Sequence, residues 1–259
     1  MNNSIKKELD ALFVEWESRM KEKDSTSHFT KDGLMYNSIP DEQNEETWFS
    51  SPKRVLFLLK DQNQKGEQKW DEDIREWLVD TASDTTESHQ RTKEANRNLA
   101  SRFIRNIAYL LWGLSKVDND NPWWYDEVTK HFCEVKEFFN TQPFAMVECK
   151  KQPGGGRLAP KDLKRHLCDF GDLLKREIEI LSPTMIVCAN HHIYSFVLEM
   201  YPHEELFSIE GHKEVSYHQP SGTLIFCSYL PSDRKSSPKI YEGVMDHYRA
   251  FLKYQSINK

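Results

Sequence analysis

Apolar residues recur every three or four positions at the start of the chain, at Ile5, Leu9, Leu12, Phe13, Trp16 and Met20, with charged residues between them. This spacing predicts an amphipathic helix over residues 4 to 22 whose stripe packs on the core. The pattern then changes. RVLFLLKDQN (54 to 63), PFAMVEC (143 to 149), PTMIVCAN (183 to 190) and TLIFCSYL (223 to 230) are short continuous apolar runs that end in polar residues, the mark of strands buried on both faces.

Between the second and third runs, Leu163, Leu167, Phe170, Leu174, Ile178 and Leu181 return to helical spacing, and Pro160 stands where a first-turn proline is tolerated. Strand, helix, strand predicts a right-handed parallel crossover. Leu99, Phe103, Ile107, Leu110, Leu111 and Leu114 predict another long helix. A last one, over Tyr241, Val244, Tyr248, Phe251 and Leu252, follows Ser237 and Pro238. The expected fold class is α/β: a three-layer α/β/α sandwich around a central four-stranded, mostly parallel sheet, with ligands at the carboxyl ends of the strands.

No shift in composition divides the 259 residues, so a single domain over 1 to 259 is expected, with 1 to 50 as an N-terminal helical extension. Residues 79 to 98 (VDTASDTTESHQRTKEANRN) hold almost nothing to bury and read as a polar insertion, either a mobile loop or lid or plain disorder. Trp123, Trp124 and Tyr125 cluster in a loop-like context, suited to sealing a core edge or to stacking on a base.

The opening MNNSIKKELD has no apolar run behind its lysines, and nowhere do about 18 apolar residues follow one another. A cytoplasmic protein without membrane contact, and a monomer, is the expectation. Cys133, Cys149, Cys168, Cys188 and Cys227 form no C-x-x-C pair and read as reduced thiols. The net charge of -6 weakens a nucleic-acid reading, because such binding draws on cations that displace counterions. A local strip of Lys150, Lys151, Arg157, Lys161, Lys164 and Arg165 could still act on one face.

Candidate chemistry sits where the four strands end: Lys60-Asp61-Gln62-Asn63, Glu148-Cys149-Lys150-Lys151, Asn190-His191-His192 and Leu230-Pro231-Ser232-Asp233-Arg234-Lys235. Asp61 suits a general base or water-orienting carboxylate, or equally a turn residue after a strand, and Lys60 beside it is expected to lower its pKa and keep it anionic, which suits either role. Gly154, Gly155, Gly156 and Arg157, near Lys150 and Lys151, could wrap a phosphate with backbone N–H groups, or form a flexible connection. Ser232, Arg234 and Lys235 ahead of the last helix suit an anion at a helix N-terminus, against an ordinary cap with solvated cations. His191 and His192 lack a partner at ligand spacing and read as turn residues, so no metal is expected.

The order and spacing of these segments resemble the uracil-DNA glycosylase superfamily over roughly residues 53 to 254. LFLLKDQN stands at that family's first motif, and KKQPGGGRLAP followed by a helix and SPTMIVCAN is similar to its iron–sulfur branch. YLPSDRKSSPKIYEGV carries Pro231 and Ser232 in the setting of its His-Pro-Ser motif. The resemblance implies that Asp61 orients the attacking water. With it, Gln62, Asn63 and Glu148 are expected to hold the base, while Lys150, Lys151, Gly155, Arg157, Ser232, Arg234 and Lys235, on the loop and helix-end readings above, are the residues expected to hold phosphate or nucleic acid.

Leu230 replaces the histidine that stabilises the departing base in that family, and an aliphatic side chain offers no donor. Cys168 matches one cluster ligand, Cys149 lies beside another position, and residues 1 to 132 contain no cysteine. No iron–sulfur cluster or other cofactor is therefore expected. Three functions follow: a DNA glycosylase acting on a flipped base, a non-catalytic nucleic-acid or nucleotide-binding module, and a protein-interaction domain.

Overall fold

The computed structural model describes residues 4 to 37, 41 to 64, 69 to 80, 85 to 155 and 157 to 257. Helix α1 (Ile5–Lys23) buries the six apolar residues of its predicted stripe. Each large side chain so buried contributes about 1.5–3 kcal/mol. Short strands β1 (Thr30–Lys31) and β2 (Gly33–Leu34) follow, then α2 (Asp41–Ser50), β3 (Val55–Asn63) and β4 (Glu72–Asp73). Helices α3 (Glu87–Arg97), α4 (Arg102–Lys116), α5 (Tyr125–Val128) and α6 (Phe132–Thr141) separate these from β5 (Ala145–Gly154). The remainder is α7 (Pro160–Leu181), β6 (Met185–Cys188), α8 (His191–Leu198), β7 (Leu206–Ile209), β8 (His212–His218), β9 (Thr223–Cys227) and α9 (Ser237–Ile257).

The protein is a mixed α/β fold with a mostly parallel central sheet. The four strands expected from the sequence lie side by side and parallel, in the order β5-β3-β6-β9. The sheet itself is wider than the expected four strands. Among the described residues it has seven, because β2 pairs antiparallel with β5 at one edge and β8 and β7 extend it antiparallel beyond β9, while β1 and β4 form a separate parallel pair. Val55 to Leu59, Ala145 to Cys149 and Met185 to Cys188 are buried at every position, so both faces of these strands are covered. Helix α7 begins with Pro160 and ends at Ser182, which takes the left-handed conformation (φ 46°) and returns its N–H to Ile178 O.

Two features aim the fold at a site. The connection from β3 leads to β5 on one side, and the connection from β6 leads to β9 on the other. Where such connections diverge, a crevice opens outside the carboxyl ends, here those of β3 and β6. Helix α4 runs antiparallel to β3. Lys53, just before β3, donates its Nζ to Ser115 O (3.1 Å) and Val117 O (2.9 Å) at the helix's last turn. The α4 N-terminus therefore faces the carboxyl edge, and its buried Asn106 donates Nδ2 to Pro231 O (2.7 Å) in the loop after β9.

Within the polar stretch 79 to 98, residues 81 to 84 lie outside the described residues, and the rest is largely α3. Thr86 caps that helix by accepting from His89 N, and Lys93 and Asn96 are buried. Among the described residues no helix is long and apolar enough to cross a membrane.

Candidate functional site

Strand register fixes which side chains share a face. Leu59 pairs with Glu148 and Asp61 with Lys150, and partners in a parallel register project to the same side. Glu148, Lys150 and Asp61 thus stand on one face, while Gln62, Cys149 and Lys151 point to the other. Ala189 N donates to Leu58 O (2.9 Å) and Ser228 N to Cys188 O (2.8 Å), so Ala189 and Ser228 continue the row of Glu148 and Leu59 across the sheet. With strands about 4.8 Å apart, β3 and β9 end roughly 10 Å from one another. Asp61 and the Pro231-Ser232 turn accordingly lie at the same edge.

The Asp61 side chain is 9% exposed, and Lys150 Nζ stands 3.8 Å from its Oδ2. Burial raises its pKa, and Lys150, Lys60 and Lys69 oppose this without cancelling it. The direction is opposite to the lowering expected from Lys60: desolvation outweighs the neighbouring cations, which leaves a stronger base than an ordinary aspartate. The carboxylate is packed against Gly154, where an added Cβ would sit 1.9 Å from Oδ2.

Glu148 is buried, and its Oε2 has no hydrogen-bond partner. Burial first, then the charges of Asp32 and Asp61, push its pKa well above the usual glutamate range. The shift favours the protonated form, and a protonated carboxyl is a hydrogen-bond donor, as a ligand carbonyl requires. Its backbone N–H donates to Asp32 Oδ2 (2.7 Å), taking over where the β2 ladder stops.

The other expected residues divide. Gln62 is buried in a network, accepting from Thr30 Oγ1 (3.0 Å) and Gln64 Nε2 (3.1 Å) and donating to Glu72, so it braces β3 and has no face for a base. Asn63 is exposed at the strand's tip. Lys151 is fully buried between Asp32 and Glu177 (2.7 Å to the latter) and has no surface to offer a phosphate, because strand alternation turns it inward. Lys150 donates to Gln152 O (2.7 Å) and borders a cleft of about 240 Å³ shared with Lys69, His28 and Ser27. Gly155, Arg157, Ser232, Arg234 and Lys235 are exposed, and Gly156 lies outside the described residues. Lys235 Nζ rests 5.8 Å above the ring of Tyr229.

The structure adds two residues that sequence reasoning missed, Arg102 and Ser228, and gives Asn190 a cap's place. Arg102, one turn before Asn106 on α4, carries a buried Nη2 without a partner, at the helix end that faces the crevice. Ser228 Oγ in the Glu148 row is equally unpartnered. Asn190 caps α8 by accepting at Oδ1 from His192 N (2.8 Å) and Ile193 N (3.0 Å), and its buried Nδ2 is free. Buried donors without acceptors are costly, at about 1–3 kcal/mol each, and Ser228 shares its face of the sheet with Glu148. Ser101 caps α4 by accepting from Ile104 N (3.2 Å), a signal in the sequence that could have fixed this end.

Away from this edge, Trp123 packs edge-on to Trp112 and Tyr125 to Tyr109, sealing the core, while Trp124 is 46% exposed under the Arg249 guanidinium. His191 and His192 are exposed in the first turn of α8. Among the described residues no group of three or more His, Cys, Asp or Glu side chains is placed to hold a metal ion. No model of a known protein family matches the chain, and no curated protein matches it.

Proposed function

We propose that this is a uracil-DNA-glycosylase-like protein, a three-layer α/β/α sandwich that grips a nucleobase at the carboxyl edge of its sheet and hydrolyses an N-glycosidic bond. One observation carries the reading: Asp61 and Glu148 stand on one face of adjacent strands, both largely buried, with an unpartnered oxygen on Glu148. Asp61 orients and deprotonates water for attack on the anomeric carbon. Glu148, Ser228 and Arg102 donate to the base oxygens, which favours keto bases, and the base must leave the stack to reach them.

The N-termini of α4 and α8 point to this edge, and Lys60, Lys69 and Lys150 lie around Asp61. These supply local positive potential to a chain of net charge -6, and the resulting affinity for DNA is weak and salt-sensitive. Leu230 favours a second reading, a nucleic-acid or nucleotide-binding module without turnover, because it leaves the departing base without the family's histidine.

Incubation with single and double strands containing uracil, hypoxanthine or xanthine, followed by alkaline cleavage, distinguishes the two. Abasic product that disappears in Asp61→Asn supports the enzyme. Salt-dependent binding with no product supports the module, and no binding at low salt removes both.

A further inference from the structure

A second cluster lies at the opposite edge of the sheet, in the turn between β8 and β9. His218, at the end of β8, is 7% exposed, and Tyr201 packs on its ring at 4.3 Å between centroids. Its Nε2 stands 2.8 Å from Glu205 Oε2 and its Nδ1 2.6 Å from Ser221 Oγ. The acid fixes the tautomer. With Nε2–H donated to Glu205, Nδ1 is left to accept the Ser221 hydroxyl proton. Glu205 itself is held in place, since its carbonyl accepts from Gln219 N (3.2 Å) and the next residue, Leu206, pairs with His218 in the ladder.

We propose that Ser221, His218 and Glu205 form a nucleophilic serine site that accepts an acyl group from small activated esters. An ordered acid, an imidazole and a hydroxyl in hydrogen-bonded series are the parts this chemistry needs, whatever their order along the chain. Ser221 Oγ attacks the ester carbonyl carbon, its proton passes to His218 Nδ1, and the carbonyl π pair becomes the oxyanion. Collapse breaks the bond to the leaving alcohol, which takes that proton from His218. Water then attacks the acyl-serine by the same route and releases the acid.

Thr223 Oγ1, 2.7 Å from Ser221 Oγ, steadies the hydroxyl. The backbone N–H of Ser221 has no acceptor among the described residues and is available to the oxyanion. Ser221 is exposed at the hairpin, with Gly222 in the left-handed conformation (φ 68°), so the site suits a small ester in open water and not an extended chain.

The test uses the full chain, a fluorophosphonate probe and p-nitrophenyl acetate, and is independent of any action on nucleobases. Covalent label should map to the peptide containing Ser221 and vanish in Ser221→Ala, whose exposed side chain can be removed without disturbing the fold, as circular dichroism will verify. His218→Asn should slow labelling by about a hundred-fold or more. Absence of label on the wild-type chain, or label that persists in Ser221→Ala, overturns the proposal.

Discussion

Replacing Lys151 by Met separates a structural cation from a ligand-binding one. The ammonium is fully buried, bonded to Asp32 and Glu177, and lies 4.8 Å from the centroid of the Trp16 ring. Burial works against its charge, but the two carboxylates outweigh this and raise its pKa above the ordinary lysine value. Glu177 is pushed well up by burial and by Asp32. Methionine fills nearly the same volume, so the change removes charge with little cavity.

Asp32 then keeps the Glu148 N–H but loses its cation, and breaking a buried pair in this way costs about 3–5 kcal/mol. Against a typical stability of 5–15 kcal/mol this is large. With a urea slope of about 3 kcal/mol/M, the unfolding midpoint should fall by about 1–1.7 M, followed by tryptophan fluorescence. Adding Glu177→Gln should recover at least about 1 kcal/mol, because one of the stranded acids is gone. Arg157→Ala, at an exposed position, should move stability by no more than roughly 0.5 kcal/mol. A Lys151→Met protein as stable as the wild type would refute the assignment of this lysine to the core and return it to the surface.

Three further outcomes are expected. Burial, aided by Lys150 and Lys151, lowers the pKa of His166 to about 3 from 6.5, so it is neutral in the folded chain. Its contribution is intact above pH 6.5 and is lost as pH falls toward 3, at up to about 1.4 kcal/mol per pH unit. His166→Leu should flatten that acid limb in urea titrations, and an unchanged slope would count against it. Gly154→Ala places a Cβ 1.9 Å from Asp61 Oδ2 and should displace the carboxylate, reducing the proposed base excision by about a hundred-fold while far-UV circular dichroism stays the same. Gly113→Ala in α4 meets Tyr241 Oη at 2.4 Å and Met245 Sδ at 3.0 Å, and thermal melts should report about 1–3 kcal/mol of overpacking.

Much of the fold was readable because its centre obeys simple periodicity. The four apolar runs became adjacent parallel strands, and Pro160 marked a real helix start. The outer strands gave no such signal. HKEVSYH and LFSI are polar or short, and they exist because β9 offers an edge to pair with. Within the site, alternation was the missing step. Lys150 and Lys151 look equivalent as letters, yet one borders the cleft and the other enters the core; Asp61 and Gln62 part in the same way. Arg102 resembled any basic residue at a helix start until the direction of α4 showed which edge it meets. In residues 79 to 98, a Thr86 cap and the burial of Lys93 and Asn96 give α3 its place despite a lack of apolar residues.

The margins of the seven-stranded sheet bear on how the molecule behaves in crowded solution. One rim is only two residues long, Gly33 and Leu34, and the other four, Leu206 to Ile209, where Phe207 is clasped by Tyr254 of α9 at 4.9 Å between ring centroids. So little unpaired backbone gives a neighbouring chain almost no template to zip onto. Lengthening either rim would expose that hazard, and so the widening of the sheet stops where it is safest to stop.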